Sequence, residues 1–319
     1  MITHLGKYRN LVTLNDILGK AEREGYAVGS FSPRYTPMIC AVMRAGERCK
    51  SPVIVQISSR ELSRYKITLA EFAEEFYRVL REEAISVPVV LHLDHTREQT
   101  VIEEAIAVGF TSVMIDASHE QFDDNVAITR RIVEHARPKG VSVEAELGRI
   151  GTTDFVETDT DEELFTEPEE ARLFVEKTNV DALAVSVGTA HGVYKVRQPR
   201  VDFGRVKQIR EVTRVHLVLH GGSGVPSEMI KKAIQCPGGG ISKVNIATDL
   251  ELAFLAAIGR KEPLTNRECC ALAPSLLRTG QEAVEEAVVE KIMHFLGSGE
   301  KAVIENPGQR AVGADDTCQ

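Results

Sequence analysis

The sequence lacks an excess of positive charge, paired cysteine motifs and long hydrophobic runs. Lys and Arg number 38 against 47 Asp and Glu, a net charge of −9, which argues against a nucleic acid or an anionic membrane as a partner. The six cysteines are scattered without C-x-x-C spacing, which excludes a disulfide scaffold and a cysteine zinc site. Apolar stretches such as 87–91 are far shorter than a bilayer span, and the first residues do not resemble a signal peptide. We therefore expect a cytoplasmic protein with no nucleic-acid and no membrane partner.

Short apolar runs recur along the chain, each followed by a polar or Gly-containing turn and an amphipathic stretch. The 319 residues, 43% hydrophobic and 27% charged, are typical of a folded protein of one or two domains. Eight runs occur at a mean spacing of about 31 residues, the length of one βα unit; they lie at 27–31, 53–57, 89–93, 112–115, 141–145, 182–187, 217–219 and 241–244. The stretches between them predict helices at 37–50, 69–83, 96–107, 125–137, 169–178, 203–212 and 227–234.

Eight βα units indicate one parallel sheet that closes on itself. Near-continuous apolar strands are typical of a parallel sheet covered by helices, and eight is the number of units in an α/β fold of the (β/α)8 TIM barrel type. We predict one barrel domain over residues 1–305, with an extra C-terminal helix at 281–296, and a disordered tail at 306–319. A doubly wound open sheet is the alternative.

Histidines, carboxylates or amides follow six consecutive predicted strands. The active site of a barrel lies at the carboxyl ends of its strands, so these side chains would converge there. Three histidines from three strand ends, His95, His191 and His220, suit a catalytic zinc, which keeps one coordination position open for the substrate. Each histidine alone is more often a hydrogen-bonded core or surface group. Their convergence favours the metal site.

Carboxylates also stand at the ends of predicted strands 3, 4 and 5. Asp94 precedes His95, so its side chain is expected to diverge from the metal and to stay in the pocket. There it can exchange a proton with a substrate hydroxyl; the alternative role is a hydrogen bond to a ligand histidine. Asp116 and Glu146 offer hard oxygen ligands for a second metal position. His119 lies one turn further along the chain and is expected to support the site without binding the metal.

Glycines and small polar residues follow the last two predicted strands. The run from Gly221 to Gly224 can bring backbone N–H groups close to an anion. Asn245 and Thr248 lie at the start of the next helix, whose dipole favours a phosphate, and the loops after strands 7 and 8 of such barrels often bind one. A simple tight turn is the alternative. A metal beside a phosphate pocket suits a phosphorylated ketone whose carbonyl is polarised to give an enediolate.

Six motifs carry a resemblance to a known family. In chain order they are VVLHLDH (89–95), SVMIDASH (112–119), VEAELG (143–148), GTAHGVYK (188–195), LVLHGGSG (217–224) and KVNIATDL (243–250). The sequence resembles the class II, zinc-dependent ketose-bisphosphate aldolases, the family of fructose-1,6-bisphosphate and tagatose-1,6-bisphosphate aldolases. Weaker similarity extends from residue 14 to about 302.

The resemblance implies an enzyme that reversibly cleaves a ketose 1,6-bisphosphate, most simply fructose 1,6-bisphosphate, to dihydroxyacetone phosphate and glyceraldehyde 3-phosphate. It implies Asp94 as the proton donor and Zn²⁺ as the cofactor; many members also respond to a monovalent cation. It further implies a phosphorylated sugar as the small-molecule partner and a homodimer or homotetramer. The implied zinc ligands are His95, His191 and His220, with Asp116 and Glu146 for a second or displaced metal; the implied substrate-binding residues are Ser58, Gly192, Gly221, Gly222, Ser223, Asn245, Ile246, Ala247 and Thr248.

Three segments depart from the family pattern. After strand 5 the family usually has paired glycines and then Glu-Asp, whereas residues 150–154 read IGTTD, which leaves Asp154 or Glu157 as the mobile-loop carboxylate. Phe31 is followed by Ser32 instead of Asn, and an extra PGGG at 237–240 precedes strand 8. The alternatives are therefore a tagatose bisphosphate aldolase, a ketose 1-phosphate aldolase, or a sugar-phosphate-binding homologue without catalytic activity.

Overall fold

Eight parallel strands follow one another around a closed barrel, with the last strand paired to the first. The computed structural model describes residues 7–150, 165–190, 192 and 199–302. The predicted (β/α)8 barrel is confirmed, and the open-sheet alternative is wrong. The strands are β1 Val28–Phe31, β2 Val53–Ser58, β3 Val89–Thr96, β4 Ser112–Ile115, β5 Ser142–Leu147, β6 Ala182–Val185, β7 His216–Leu219 and β8 Ile241–Ile246.

Helices cover the outside of the barrel and close one of its ends. They are α1 Leu14–Glu24, α2 Ile39–Cys49, α3 Ser59–Tyr65, α4 Leu69–Glu82, α5 Gln99–Val108, α6 Phe122–Ala136, α7 Pro168–Thr178, α8 Phe203–Val212, α9 Ser227–Ile234, α10 Thr248–Ala257, α11 Asn266–Cys270 and α12 Pro274–Glu290. The predicted C-terminal helix begins earlier than expected, as α12, and continues through a π-helical turn at Lys291–Leu296. It packs against α2 and α10. The predicted tail at 306–319 lies outside the described residues.

The barrel interior has an apolar lower half and a polar upper half. Alternate strand residues such as Ile54 and Val90 point inward and join the buried side chains of α1, while their neighbours pack toward the outer helices. Above this layer the buried inward-facing residues are polar: Ser30, Gln56, His92, Asp94, Glu144, Glu146, Lys243 and Asn245. The polar half lies at the carboxyl ends of the strands, where the sequence places the site. No helix of the described ranges is long and apolar enough to cross a membrane.

The extra segment at 237–240, a proline and three glycines, forms a turn that packs tightly at the opposite end of the barrel. The carbonyl of Gly239 accepts a hydrogen bond from Nε of the buried Arg210 at 3.1 Å. At Gly240 an added Cβ would lie 2.1 Å from the Ala233 carbonyl oxygen and 2.3 Å from that of Ile234. These are backbone atoms at the end of α9, so the segment is more than a surface turn.

We expect Gly240→Ala to lower the free energy of unfolding by about 1–3 kcal/mol, because overpacking against a fixed backbone forces a local shift. The matched control is Gly204→Ala in α8, where the added methyl meets only a side-chain oxygen at 3.3 Å and stability should stay within about 1 kcal/mol of the parent. Denaturant unfolding measures both. Equal stabilities for the two variants would contradict this reading of the turn.

Candidate active site

A bulge at the end of β3 brings two consecutive residues into one site. In a regular strand neighbouring side chains point to opposite faces. Here the register between β3 and β4 shifts between Leu93 and Thr96, and His95 has a φ of 31°, which is unusual for a residue other than glycine. As a result, ligand atoms of Asp94, His95 and His220 all lie within 4.8 Å of one another. The side chain of Asp94 therefore diverges less from the histidines than the sequence led us to expect.

His95 is oriented by a carboxylate at the end of the next strand. Its Nδ1 lies 3.0 Å from Oδ2 of Asp116, and Oδ1 of that aspartate accepts hydrogen bonds from the backbone and hydroxyl of Ser118. Glu146 is close by, with Oε2 at 4.0 Å from the same nitrogen. His95, Asp116 and Glu146 form a second group whose ligand atoms lie within 4.8 Å. Such a carboxylate commonly fixes the ring orientation of a metal-binding histidine.

His220 is oriented by a different carboxylate, one layer deeper in the barrel. Its Nε2 lies 2.9 Å from Oε1 of Glu144, and both side chains are fully buried. A carboxylate without a proton accepts only, so Nε2 carries the hydrogen and Nδ1 carries the lone pair. Nδ1 faces Glu146, at 3.6 Å from Oε2. The rings of His220 and His95 meet edge to face at 4.5 Å between centroids, so both imidazoles converge on one point.

Asp94 is held by two side-chain amides. Nε2 of Gln56 donates to Oδ2 at 3.0 Å, and Nδ2 of Asn245 donates to Oδ1 at 3.1 Å. Burial works to raise the pKa of Asp94, but the charge of His95 and a contact with His92 outweigh burial and hold that pKa well below its usual range. The two amide N–H groups donate to the two carboxylate oxygens, which favours the charged form of Asp94.

The surrounding groups crowd acidic and imidazole side chains into a buried space. Burial raises the pKa of Glu146 to about 8, and the charge of Asp116 adds to that effect. Burial opposes protonation of His95, yet Asp94 and Asp116 raise its pKa to about 10. Oε2 of Glu146 is buried and accepts no hydrogen bond from the described residues. Imidazole nitrogens and carboxylate oxygens are the donors that zinc binds in catalytic sites, so these residues fit a divalent cation.

The loop after β7 requires two glycines because it passes close to its neighbours. Gly221 has a φ of 69°, and an added Cβ would lie 2.3 Å from the Ala190 carbonyl oxygen. Gly222 donates its N–H to the Asn245 carbonyl at 3.0 Å, and a Cβ there would lie 2.6 Å from Val244. The loop after β7 therefore approaches the loop after β6 and the end of β8 backbone to backbone.

Ser223 connects that loop to the N-terminus of α10. Its Oγ accepts hydrogen bonds from the backbone N–H groups of Ala247 and Asp249, both at 3.3 Å. Thr248 is the first residue of α10, and its hydroxyl accepts from Nη2 of Arg34 at 3.3 Å. The predicted phosphate-binding residues thus form one connected surface at a helix N-terminus, which is a favourable place for an anion.

Some predicted residues lie elsewhere or outside the described ranges. Ser58 ends β2 beside Asp94, but its hydroxyl caps α3 by accepting from the Glu61 N–H at 3.2 Å. Gly192 lies within the described residues and has a φ of 103°. Ile246 ends β8, and its carbonyl accepts a hydrogen bond from the N–H of Ser32. The zinc-ligand prediction for His191 and the loop-carboxylate predictions for Asp154 and Glu157 fall outside the described residues. His119 lies at the rim, with Nε2 at 3.1 Å from Glu120.

Sequence reasoning gave no role to Lys243, Glu144 or Gln56. All three are buried below the rim and contact residues that the sequence did single out. A signal for two of them was available: Lys243 and Glu144 stand two positions before Asn245 and Glu146 on their strands, so they must face the same interior.

Known proteins resemble this chain over most of its length. Residues 12–301 match the family model described as fructose-bisphosphate aldolase class-II. A fructose-bisphosphate aldolase of Thermus caldophilus is 40% identical, covering 90% of this chain and 98% of its own, and one of Geobacillus stearothermophilus is 37% identical, covering 92% and 99%. The crystal structure of the YdjI aldolase from Escherichia coli K12 superposes with a TM-score of 0.77 at 32% identity, covering 92% of this chain and 100% of its own. The chain belongs to the class II fructose-bisphosphate aldolase family, whose members are carbon–carbon lyases.

Proposed function

We propose that the protein is a zinc-dependent aldehyde-lyase that reversibly cleaves fructose 1,6-bisphosphate to dihydroxyacetone phosphate and glyceraldehyde 3-phosphate. The observation that carries this proposal is the convergence of His95, His220 and Asp94 within 4.8 Å, next to a glycine-rich loop at a helix N-terminus. As a member of this family the protein is expected to act in cytoplasmic carbohydrate metabolism and to form a homodimer or homotetramer.

The zinc ligands in this proposal are His95, His191 and His220. Zinc, when bound, would polarise the substrate carbonyl and stabilise the negative charge that develops as the carbon–carbon bond breaks. The contacts with Asp116 and Glu144 keep the two described imidazoles in fixed orientations. Asp116 and Glu146, grouped with His95, would provide the second metal position.

Asp94 is the proposed proton-transfer residue. In the cleavage direction its carboxylate accepts the proton of the C4 hydroxyl, and in the condensation direction the same carboxyl returns it. The two amide donors favour the ionised form and hold the carboxylate in place.

The phosphate of the dihydroxyacetone half would bind at the N-terminus of α10. The Gly221–Gly222 loop and residues 245–248 would surround it, and Ser223 aligns both segments by accepting hydrogen bonds from the N–H groups of Ala247 and Asp249. Ser58, at the end of β2, would contact the aldehyde half.

The direct test is the initial rate of cleavage of fructose 1,6-bisphosphate and of tagatose 1,6-bisphosphate, with and without excess EDTA. We expect faster cleavage of the fructose compound, about one catalytic zinc per chain, and no turnover in chelator. Faster cleavage of tagatose bisphosphate or of a ketose 1-phosphate would reassign the substrate. Binding without turnover would identify a sugar-phosphate-binding homologue, and borohydride trapping of substrate on a lysine would exclude the zinc mechanism.

We expect His220→Ala to lose metal and activity together, whereas Asp94→Ala keeps its metal and loses about 10²- to 10⁴-fold in kcat. A ligand holds the metal in every state, while a proton-transfer group acts only where a proton moves. Metal content and steady-state rates measure the difference. The matched control is His294→Ala, an exposed histidine of the π-helical turn Lys291–Leu296, which should keep both; loss of metal from Asp94→Ala would make Asp94 a metal-positioning residue.

Ser223→Ala should raise KM for the ketose phosphate and lower kcat/KM by about ten- to a hundredfold, because a hydrogen bond to a charged group contributes about 1.5–3 kcal/mol. Its zinc content should not change, since Ser223 contacts the helix N-terminus and not the histidines. Ser227→Ala, at the start of α9, is the control and should match the parent. The alternative is a phosphate held by a basic residue such as Lys195, the last residue of the motif at 188–195; parental KM in Ser223→Ala and Thr248→Ala, with a large loss in Lys195→Ala, would show this.

A further inference from the structure

We propose that Lys243 is a positioning residue that aligns the metal-binding His220 and the proton-transfer residue Asp94 from beneath the site. This inference rests on the proposed function of those two residues. Lys243 lies on β8 inside the barrel, and its side chain is fully buried. Its Nζ contacts Glu144 and Asn245, so we expect any effect on the reaction to pass through these neighbours.

One branch of contacts runs from Lys243 to His220. Its Nζ lies 2.9 Å from Oε2 of Glu144, and the other oxygen of that carboxylate lies 2.9 Å from Nε2 of His220. Holding Oε2 fixes the rotation of the carboxylate, so Oε1 stays in line with the imidazole. The lysine therefore secures the tautomer of His220 that presents Nδ1 toward Glu146 and the neighbouring ligand atoms.

The other branch runs from Lys243 to Asp94. The same Nζ donates to Oδ1 of Asn245 at 2.7 Å. An ammonium group has donors and no acceptor, so it forces the oxygen of the amide toward itself and turns Nδ2 toward Asp94. Nδ2 then donates to the carboxylate, at 3.1 Å from Oδ1.

The side-chain amide of Gln56 holds Asp94 in the same way on its other side. Gln56 donates Nε2 to the carboxylate at 3.0 Å, and its own oxygen accepts from the hydroxyl of Ser30. Each amide that holds Asp94 is thus oriented by a donor behind it. Lys243 differs from Ser30 because it serves Asp94 and His220 at once.

The stability of the fold does not explain why Lys243 and Glu144 are buried as a charged pair. Lys243 and Glu144 both have a side-chain exposure of 0%, and a buried ion pair is often no more stabilising than an apolar pair of similar volume. Nζ also engages two acceptors beneath Asn245, so Lys243 is not placed to attack a substrate carbonyl. The contacts of Lys243 instead position His220 and Asp94.

The test compares the full-length parent with Lys243→Met and with the double variant Lys243→Met/Glu144→Gln. The double variant leaves no unpaired buried charge from this pair, so it stays informative if the single variant fails to fold. The readouts are zinc affinity by chelator competition, the absorption spectrum of the Co²⁺-substituted protein, kcat, KM and Tm. Lys231→Met is the matched control, because Lys231 forms an exposed ion pair with Glu228 on α9.

We expect both Lys243 variants to lose about 10- to 100-fold in zinc affinity, to change the Co²⁺ spectrum, and to lose about 10- to 100-fold in kcat, since removing the partner of a ligand-orienting group has effects of this size. KM should change less than threefold, and Lys231→Met should match the parent. A folded double variant with parental zinc affinity, spectrum and kcat would overturn the inference, as would a lower Tm with those three unchanged. A parent that binds zinc but cleaves no ketose bisphosphate contradicts the proposed function alone, because zinc affinity and the Co²⁺ spectrum still test the positioning role.

Discussion

The pairing of buried charges in the upper half of the barrel is the constraint on which the site depends. Lys243, Glu144 and Asp94 are withdrawn from water, and a buried charge is tolerated only when other groups satisfy it. Each therefore has defined partners, and those partners include a histidine or an amide that faces the site. The contacts that satisfy these buried charges therefore also fix the positions of the side chains that face the site.

The division of the interior into two halves separates the source of stability from the source of function. The lower half is filled by apolar side chains of the strands and of α1, whose burial favours folding. The upper half contributes less to stability, because a buried hydrogen bond adds only about 0.5–1.5 kcal/mol after desolvation and a buried ion pair is often no more stabilising than an apolar pair. A rigid lower half allows the rim to keep a strained residue such as His95, whose φ of 31° is held by the strand pairing around it.

Much of this arrangement could be predicted from the sequence, because a parallel barrel imposes strong patterns. Each strand is an apolar run, and the residues at its carboxyl end must reach the rim, which was enough to locate His95, His220 and Asp94. Three missed helices also had sequence signals: α3 and α11 begin with the capping boxes of Ser58 with Glu61 and Thr265 with Glu268, and α1 has apolar residues at helical spacing followed by Gly25. The bulge after Leu93 had no such sequence signal, because the register shift depends on which residues of β3 pair with β4.

Roles inside the barrel were harder to predict than roles at its rim, for a physical reason. A rim residue is recognised by its own chemistry, whereas Lys243 acquires a role only from what lies across the barrel: Glu144 on β5, three strands away. The same holds for Ser223, whose hydroxyl is satisfied by the N–H groups of a helix that starts some 25 residues later. Both residues act by joining segments that are distant in sequence. The closed sheet brings those segments together. The fold therefore sets the distance between the metal-binding side and the phosphate-binding side of the site.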